Sequence, residues 1–166
     1  MRAKPGAMAE RLHPAIYLLL ALVILVLDQL SKAWVLSVFQ PHEVMPLLPV
    51  FNLTLVFNEG AAFSFLSDAG GWQRWFFVGL ASVISLGLLV WLLRLKANER
   101  LTGVALAMIL GGALGNLVDR VRMGKVVDFL DFYWQSWHWP AFNLADSAIT
   151  IGVILMFWAS WKSSDA

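Results

Sequence analysis

The chain has 166 residues, of which 60% are hydrophobic and 14% are charged, and its formal net charge is +1. Soluble domains carry about 45 to 50% apolar and about 25% charged residues, so this composition indicates an integral membrane protein. The sequence contains no cysteine, which excludes disulfides, thiolate metal sites and a cysteine nucleophile. Its three histidines, His13, His42 and His138, lack a ligand-like spacing, so we expect no metal and no cofactor. No acidic or basic tail indicates a nucleic-acid partner.

Four long apolar segments predict membrane-spanning helices, since about 20 helical residues cross a hydrocarbon core of ~30 Å. The predicted fold is an all-α membrane bundle in one domain, 1–166. Its spans are residues 14–39, 72–93, 101–118 and 142–161, and its outer loops are 40–71 and 119–141. The start of the first segment has the length of a signal-peptide core. Apolar character resumes after Lys32, however, which favours a retained helix.

The basic residues predict how the helices are oriented. Seven of the twelve lie on one side of the predicted bundle, namely Arg2, Lys4, Arg11, Arg94, Lys96, Arg100 and Lys162. Cytoplasmic loops carry an excess of lysine and arginine. We therefore predict that both termini are cytoplasmic and that the loops 40–71 and 119–141 are on the outer side.

The first outer loop contains an alternating run at 50–57, followed by Asn58, Glu59 and Gly60. Alternation followed by turn residues predicts a strand. We expect this strand to pair with the run 62–66 as a small β-hairpin, or cradle, on the outer side. Such an element can hold an extended peptide by strand addition, or it can be a surface cap without a ligand. The sequence leaves both interpretations open.

Ionisable residues within or beside the spans are the candidate functional residues, because an acid in hydrocarbon costs on the order of 3 kcal/mol. Asp28 and Lys32 are four residues apart on the first helix and can form an ion pair, which by itself requires no function. Asn116 and Arg120 lie on one stripe at the outer end of the third span, together with Asp119. The preceding pattern of Gly111, Gly112 and Gly115 allows a neighbouring backbone to come close.

Two further acids, Asp128 and Asp146, join Asn143 in an expected polar cluster at the outer side. Two carboxyls within hydrogen-bonding distance share one proton over a broad pH range. One can then activate water while the other donates to a carbonyl, as in aspartic proteases. Alternation puts Asp128 and Asp131 on opposite faces of their strand-like run, and composition does not say which face points inward.

Three other classes of protein fit parts of this pattern. A small proton or ion transporter uses intramembrane acids, but here the acids gather at one end and we expect no buried acid in the middle of a span. A serine/lysine peptidase would use Lys32 as its base, but Asp28 would keep that lysine charged. A purely structural bundle requires that both Asp128 and Asp146 be dispensable.

Five motifs in order along the chain resemble the bacterial lipoprotein signal peptidase family, signal peptidase II. They are DQLSK at 28–32, NEGAAFS at 58–64, GNLVDR at 115–120, VDF at 127–129 and FNLADS at 142–147. Each motif alone would be weak, but five in order across nearly the whole chain are specific. We find no departure within them. The basic segment 1–13 lies outside the resemblance.

The resemblance implies an inner-membrane aspartyl endopeptidase that removes the signal peptide from diacylglyceryl-modified prolipoproteins, with membrane lipid as its surroundings and no requirement for an oligomer. It implies that Asp128 and Asp146 are the catalytic pair on the periplasmic side. The residues that match supporting positions of the family are Asp28, Lys32, Asn58, Gly60, Asn116, Arg120 and Asn143.

Overall fold

The structure, a computed structural model, describes residues 13–60, 71–96 and 98–164. Its elements in chain order are α1 (Pro14–Val38), β1 (Val44–Leu48), β2 (Phe51–Asn58), α2 (Trp72–Leu93), α3 (Arg100–Met123), β3 (Val126–Trp134), β4 (Trp137–His138) and α4 (Leu144–Ser164). The four helices are each long and apolar enough to cross a membrane. The predicted fold class, a four-helix membrane bundle with a small β element, is confirmed.

Helix α3 is the centre of the bundle. Within its most apolar stretch 44% of the residues are buried, against 11 to 17% in the other three helices, and α1, α2 and α4 all pack on it. Toward the ends that we predict to be cytoplasmic, Leu106 and Leu110 of α3 pack with Tyr17 of α1 and Leu92 of α2. The remaining apolar surface of the outer three helices is exposed, as expected for helices that face lipid.

The predicted close approach at the α3 glycines is confirmed on two sides. A Cβ atom at Gly111 would lie 2.6 Å from the backbone oxygen of Ala21 in α1, and one at Gly112 would collide with the backbone oxygen of Ala145 in α4. A Cβ at Gly115 would overlap the carboxylate of Asp28. These glycines therefore let two helices and one acidic side chain reach the α3 backbone.

The prediction for the third span was too short. Helix α3 runs from Arg100 to Met123 rather than over 101–118, so the loop that we predict to be on the outer side begins at Gly124 instead of residue 119. The apolar run ends at Val118, but the helix continues, and the buried Asp119 is satisfied there by Lys32, Gln29 and the Val127 N–H. The helix ends at Gly124, whose φ of 76° allows the left-handed cap. The limits of the first and fourth spans shift by two or three residues at most.

The β element is larger than the predicted hairpin. Its four strands form an antiparallel sheet in the order β1-β2-β3-β4. The predicted strand at 50–57 is β2, but its partners are β1, with Met45 opposite Leu53, and β3, with Val56 opposite Asp128. The expected partner run at 62–66 lies outside the described residues.

The sheet sits on the C-terminal end of α1. Val35 and Phe39 at the end of that helix pack with Leu55 of β2 and with Val127 and Phe129 of β3. This apolar contact fixes β3, and with it Asp128, relative to the bundle. The next residues in the chain lead back to α4, so the sheet and α4 together bring the predicted polar cluster into one place.

Candidate active site

The structure brings Asp128 of β3 and Asp146 of α4 to the same asparagine. Asn143 donates from Nδ2 to Asp128 Oδ1 over 2.7 Å, and its backbone N–H donates to Asp146 Oδ2 over 3.3 Å. Asn143 is fully buried and Asp128 is 2% exposed. The two acids that the sequence singled out are therefore neighbours linked by one residue.

Local chain chemistry explains how Asp146 is held at the start of α4. Asn143 Oδ1 accepts from the Asp146 N–H over 2.9 Å, while the Asp146 carboxylate accepts from the Asn143 N–H, which is the reciprocal arrangement of a capping box. The first turn of a helix is also the positive end of its dipole, which stabilises a negative charge there. Asp146 thus caps α4 and lies at a position suited to a carboxylate.

Two further asparagines supply the remaining hydrogen bonds to the two acids. Asn58 Nδ2 donates to Asp128 Oδ2 over 3.1 Å, and Asn116 Nδ2 donates to Asp146 Oδ1 over 2.7 Å. With the bonds from Asn143, each of the four carboxylate oxygens accepts one hydrogen bond.

The orientation of each asparagine is fixed by a donor on its own carbonyl oxygen. The Gly60 N–H donates to Asn58 Oδ1 over 2.9 Å, and Lys32 Nζ donates to Asn116 Oδ1 over 3.0 Å. The backbone N–H of Asp146 donates to Asn143 Oδ1 and so fixes the orientation of Asn143. Because an amide oxygen that accepts leaves the NH₂ group on the opposite side, all three NH₂ groups are directed toward the acids.

Lys32 lies at the centre of a buried ionic triad. Its Nζ is 2.9 Å from Asp28 Oδ2 and 2.8 Å from Asp119 Oδ2. With the bond to Asn116, these contacts use all three ammonium protons. The predicted Asp28 and Lys32 pair is confirmed, and a lysine bound in this way cannot serve as a neutral base.

The expectation that no buried acid lies in the middle of a span is wrong for Asp28. It is fully buried and lies ten residues before the end of α1, or about 15 Å along the axis. Lys32 and its other partners satisfy the charge, which is why it can lie so deep. No charged residue occurs in α3 between residues 101 and 118 or in α4 between residues 147 and 161, so the acids do not continue along these helices.

Each carboxylate of the triad also holds the backbone next to one of the paired acids. Asp28 Oδ1 accepts from the N–H of Ala145 over 3.0 Å, and Asp119 Oδ2 accepts from the N–H of Val127 over 3.2 Å. Ala145 and Val127 directly precede Asp146 and Asp128. The triad, Asp28, Lys32 and Asp119, therefore ties α4 and β3 to α1 and α3 at the two residues where relative position matters.

The surroundings of Asp128 raise the pKa of its carboxyl. Burial of the Asp128 carboxyl raises its pKa, and the negative charge of Asp146 raises it further. Hydrogen bonds from Asn58 and Asn143 and the charge of Lys32 oppose this, and the pKa of Asp128 is about 7. Arg120, on α3, adds a positive charge that is attracted to Asp146 and Asp128.

Two residues in this network were not selected from the sequence. Gln29 Nε2 donates to Asp119 Oδ1 over 2.9 Å and contacts Asp28 Oδ2 at 3.2 Å, and Asp119 completes the triad. The sequence placed Asp119 on the same stripe as Asn116 and Arg120 but gave it no role. Gln29 lies within the motif at 28–32, but a glutamine beside an ion pair does not by itself indicate a role.

The remaining predicted residues have clear positions. Gly60 does not contact the paired acids, but its N–H orients Asn58. Asp131 is buried like Asp128, yet it binds Asn52 and His138 instead. Within residues 13–60, 71–96 and 98–164 no group of three or more His, Cys, Asp or Glu could hold a metal ion.

Comparison with known proteins identifies the family. The family model described as signal peptidase (SPase) II matches residues 20–162. The chain belongs to the signal peptidase II family. It is 53% identical over 154 residues to the lipoprotein signal peptidase of Cupriavidus necator, covering 93% of this chain and 87% of that protein.

A second curated relative is similarly close, and two solved structures share the fold. The lipoprotein signal peptidase of Yersinia pseudotuberculosis is 54% identical over 147 residues, which is 89% of this chain and 87% of that protein. A solved structure described as a bacterial membrane enzyme, obtained by the in meso method, matches with a TM-score of 0.83 at 31% identity over 95% of this chain and 94% of that one. A second one matches with a TM-score of 0.78 over 92% and 96%, also at 31% identity. The chain is therefore a multi-pass membrane peptidase of this family.

Proposed function

We propose that this protein is an aspartic endopeptidase that cleaves the signal peptide from diacylglyceryl-modified prolipoproteins, with Asp128 and Asp146 as its catalytic pair. The observation that carries the proposal is that one buried residue, Asn143, bonds both acids. Two carboxyls in such an arrangement, one protonated and one ionised, are sufficient for peptide hydrolysis without a metal or a nucleophilic side chain. No cofactor and no oligomer are required.

The two acids take different roles in the proposed mechanism. A pKa of about 7 keeps Asp128 protonated in much of the neutral range, so it donates its proton to the oxygen of the scissile carbonyl. Asp146, at the positive end of α4, takes a proton from water as the water oxygen attacks the carbonyl carbon. The product of this step is a neutral gem-diol.

The second step returns both acids to their starting state. Asp146 gives its proton to the amide nitrogen, and Asp128 takes a proton back from one diol hydroxyl. The C–N bond then breaks, which releases an amine and a carboxylic acid. Asp128 is then protonated and Asp146 ionised, as at the start, so the pair is ready for the next substrate.

The surrounding residues position this pair. Asn58, Asn116 and Asn143 direct their NH₂ groups at the carboxylates, and Arg120 provides a compensating charge. In this proposal Asp28 and Lys32 act through the triad, which holds the backbone beside each catalytic acid. Arginine and amide donors beside carboxylates fix their orientation, and a misplacement of about 1 Å costs on the order of a hundredfold in rate.

The membrane setting supports the same substrate. A lipid-modified signal peptide is itself an apolar helix, so it can move laterally between the spans while its acyl chains stay in the bilayer. The sheet β1 to β4 lies beside the paired acids, where it can hold the unwound peptide by strand addition. We place the site at the periplasmic side of the bacterial inner membrane, with both termini cytoplasmic, because of the distribution of basic residues.

The test is cleavage of a diacylglyceryl-modified prolipoprotein by the purified protein in lipid nanodiscs. Asp128→Asn and Asp146→Asn should each lower kcat by at least about a thousandfold while the protein stays folded. Asp131→Asn is a matched control, because Asp131 is a buried aspartate of the same strand that binds Asn52 and His138, and it should retain most activity. Activity in either of the first two variants, or its loss with a chelator, would overturn the proposal.

A further inference from the structure

The guanidinium of Arg120 is held in an unusual way. Its Nε is buried and has no hydrogen-bond partner among the residues that the structure describes, and its Nη1 makes only a long bond of 3.4 Å to the backbone oxygen of Asn116. Charge attraction to Asp146 and Asp128 does not fix the plane of the group, because Coulomb forces depend on distance and hardly on orientation. Some other contact must set the orientation of the guanidinium.

That contact is the ring of Phe77 in α2. The guanidinium carbon of Arg120 lies 5.6 Å from the ring centroid, within the range of a cation–π interaction, which is strongest where the cation is desolvated. Phe77 is half-buried, whereas most apolar side chains of α2 face outward. The aromatic face is therefore directed into the protein at the site of the buried cation.

The same ring also supports the turn that orients Asn58. A Cβ atom at Gly60 would lie 2.6 Å from two carbon atoms of the Phe77 ring, and Gly60 has φ +95°. Only glycine fits there, because both the space and the backbone conformation exclude a side chain. Since the Gly60 N–H holds Asn58 and Asn58 donates to Asp128, the ring contacts both the Gly60 turn and Arg120.

Helix α2 is attached to α3 one turn before this ring. Arg74 Nε donates to the backbone oxygen of Arg120 over 3.0 Å, and Arg74 Nη2 donates to the backbone oxygen of Val121. A Cβ at Gly124 would lie 3.2 Å from Arg74, so the lack of a side chain there leaves room for this contact. These bonds fix the distance between the start of α2 and the end of α3, which keeps Phe77 against Arg120.

We propose that Phe77 is a positioning residue of the active site, which orients the Arg120 guanidinium toward the catalytic pair and supports the Asn58–Gly60 turn. The proposal rests on the proposed function, since it assumes that Asp128 and Asp146 are catalytic. It assigns a role to a residue of α2, a helix that carries none of the other site residues. It also explains why position 60 is a glycine although it does not contact the acids.

The test compares three variants in the prolipoprotein cleavage assay. Phe77→Leu removes the aromatic face and should lower kcat roughly tenfold with a change in KM of less than about twofold, since the contact is to the catalytic machinery. Phe77→Tyr retains the ring and should restore kcat to within about threefold of the starting protein. Phe157→Leu is the control, because Phe157 is a phenylalanine of α4 that is 74% exposed.

The pH profile distinguishes positioning from a general loss of structure. A nearby cation favours the ionised form of a carboxyl. If Phe77→Leu releases Arg120, Asp128 should keep its proton to higher pH, and the alkaline limb of kcat/KM should move upward. A variant that is merely less folded has a lower kcat/KM at every pH, and the pKa of its alkaline limb is unchanged. An unchanged pKa of the alkaline limb, or equal losses of kcat in Phe77→Leu and Phe157→Leu, would overturn the proposal.

The variant Arg120→Lys tests whether Phe77 acts through the Arg120 guanidinium. Lysine keeps the charge but lacks the planar group that stacks on a ring, so Phe77→Leu should have a much smaller effect on kcat in that background. Equal effects in both backgrounds would mean that Phe77 does not act through Arg120. Failure of the proposed function would be recognised separately, because Asp128→Asn would then be active whatever Phe77→Leu does.

Discussion

Replacement of Lys32 by methionine is the most direct test of the buried triad. Methionine has a similar length and is apolar, so it removes the ammonium group while filling most of its space. Asp28 and Asp119 then lose their common cation, although both side chains are almost completely buried. Asn116 Oδ1 loses the shorter and charged of its two donors and keeps only the 3.2 Å bond from Asn143 Nδ2.

The expected losses of stability and of kcat in Lys32→Met follow from these contacts. Removal of one partner from a buried ion pair costs about 3 to 5 kcal/mol of folding free energy, which corresponds to a decrease in Tm of roughly 10 °C for a chain of this size. Loss of the 2.7 Å bond from Asn116 to Asp146 removes a hydrogen bond to a charged group. Such a bond is worth about 1.5 to 3 kcal/mol, so kcat of the folded fraction should fall about ten- to a hundredfold.

The assays are thermal unfolding in detergent and prolipoprotein cleavage on the same preparation. Lys162→Met is the control, because Lys162 is an exposed lysine at the other end of the bundle. This replacement should change neither Tm nor kcat. The double variant Asp28→Asn with Lys32→Met should recover part of the stability, since the introduced amide is neutral and its oxygen can still accept from the Ala145 N–H, whereas Asp119 stays without its cation. It should not recover full activity, because Asn116 Oδ1 keeps only the longer bond of 3.2 Å from Asn143 Nδ2. Wild-type Tm and kcat in Lys32→Met would refute the role given to the triad.

Asp128, Gly115 and Gln29 each give further predictions. Because the pKa of Asp128 is raised to about 7, the rate should fall about tenfold per pH unit above that value, and a flat profile to pH 9 would contradict the assignment of the proton donor. Because of the same shift, the folded state still binds a proton at pH values where the unfolded chain, with a pKa near 4, has released it. Tm should therefore decrease as pH rises from about 4 to about 7. In Asp128→Asn this decrease should be absent. Gly115→Ala should lower both Tm and kcat, since its Cβ would overlap the Asp28 carboxylate, whereas Gly79→Ala, which has open space around it, should be neutral. Gln29→Leu should lower Tm by a few degrees through loss of its bonds to Asp119 and Asp28, and unchanged unfolding would show that these bonds contribute nothing.

Local patterns in the sequence predicted much of this fold. Runs of apolar residues long enough to cross a bilayer predicted four helices, and the second span, 72–93, agrees with α2 at both ends. The alternation at 50–57 predicted β2, and the spacing of Asp28 and Lys32 predicted their pair. These features depend on residues a few positions apart, which is the range at which periodicity carries information.

The features that were missed depend on distant parts of the chain. The extension of α3 to Met123 could not be read from polarity, because the partner that stabilises Asp119 is Lys32, on another helix. The partners of β2 are β1 and β3, and nothing in the strand itself specifies them. The directions of the three asparagine side chains depend on donors such as Lys32 and Gly60. Residue types alone indicated an acidic cluster, but they did not indicate which group orients which.

The triad also has a consequence for how the chain is assembled during synthesis. Helix α1 leaves the ribosome before α3, so Asp28 and Lys32 enter the insertion machinery while Asp119, Asn116 and the space at Gly115 do not yet exist. Until α3 arrives, α1 carries a charged pair that hydrocarbon does not tolerate well, and it must remain shielded by the insertion machinery or by water. A chain that ends before residue 115 keeps the Asp28–Lys32 pair but lacks Asn116 and Asp119, so we expect α1 to insert less efficiently when it is expressed without α3.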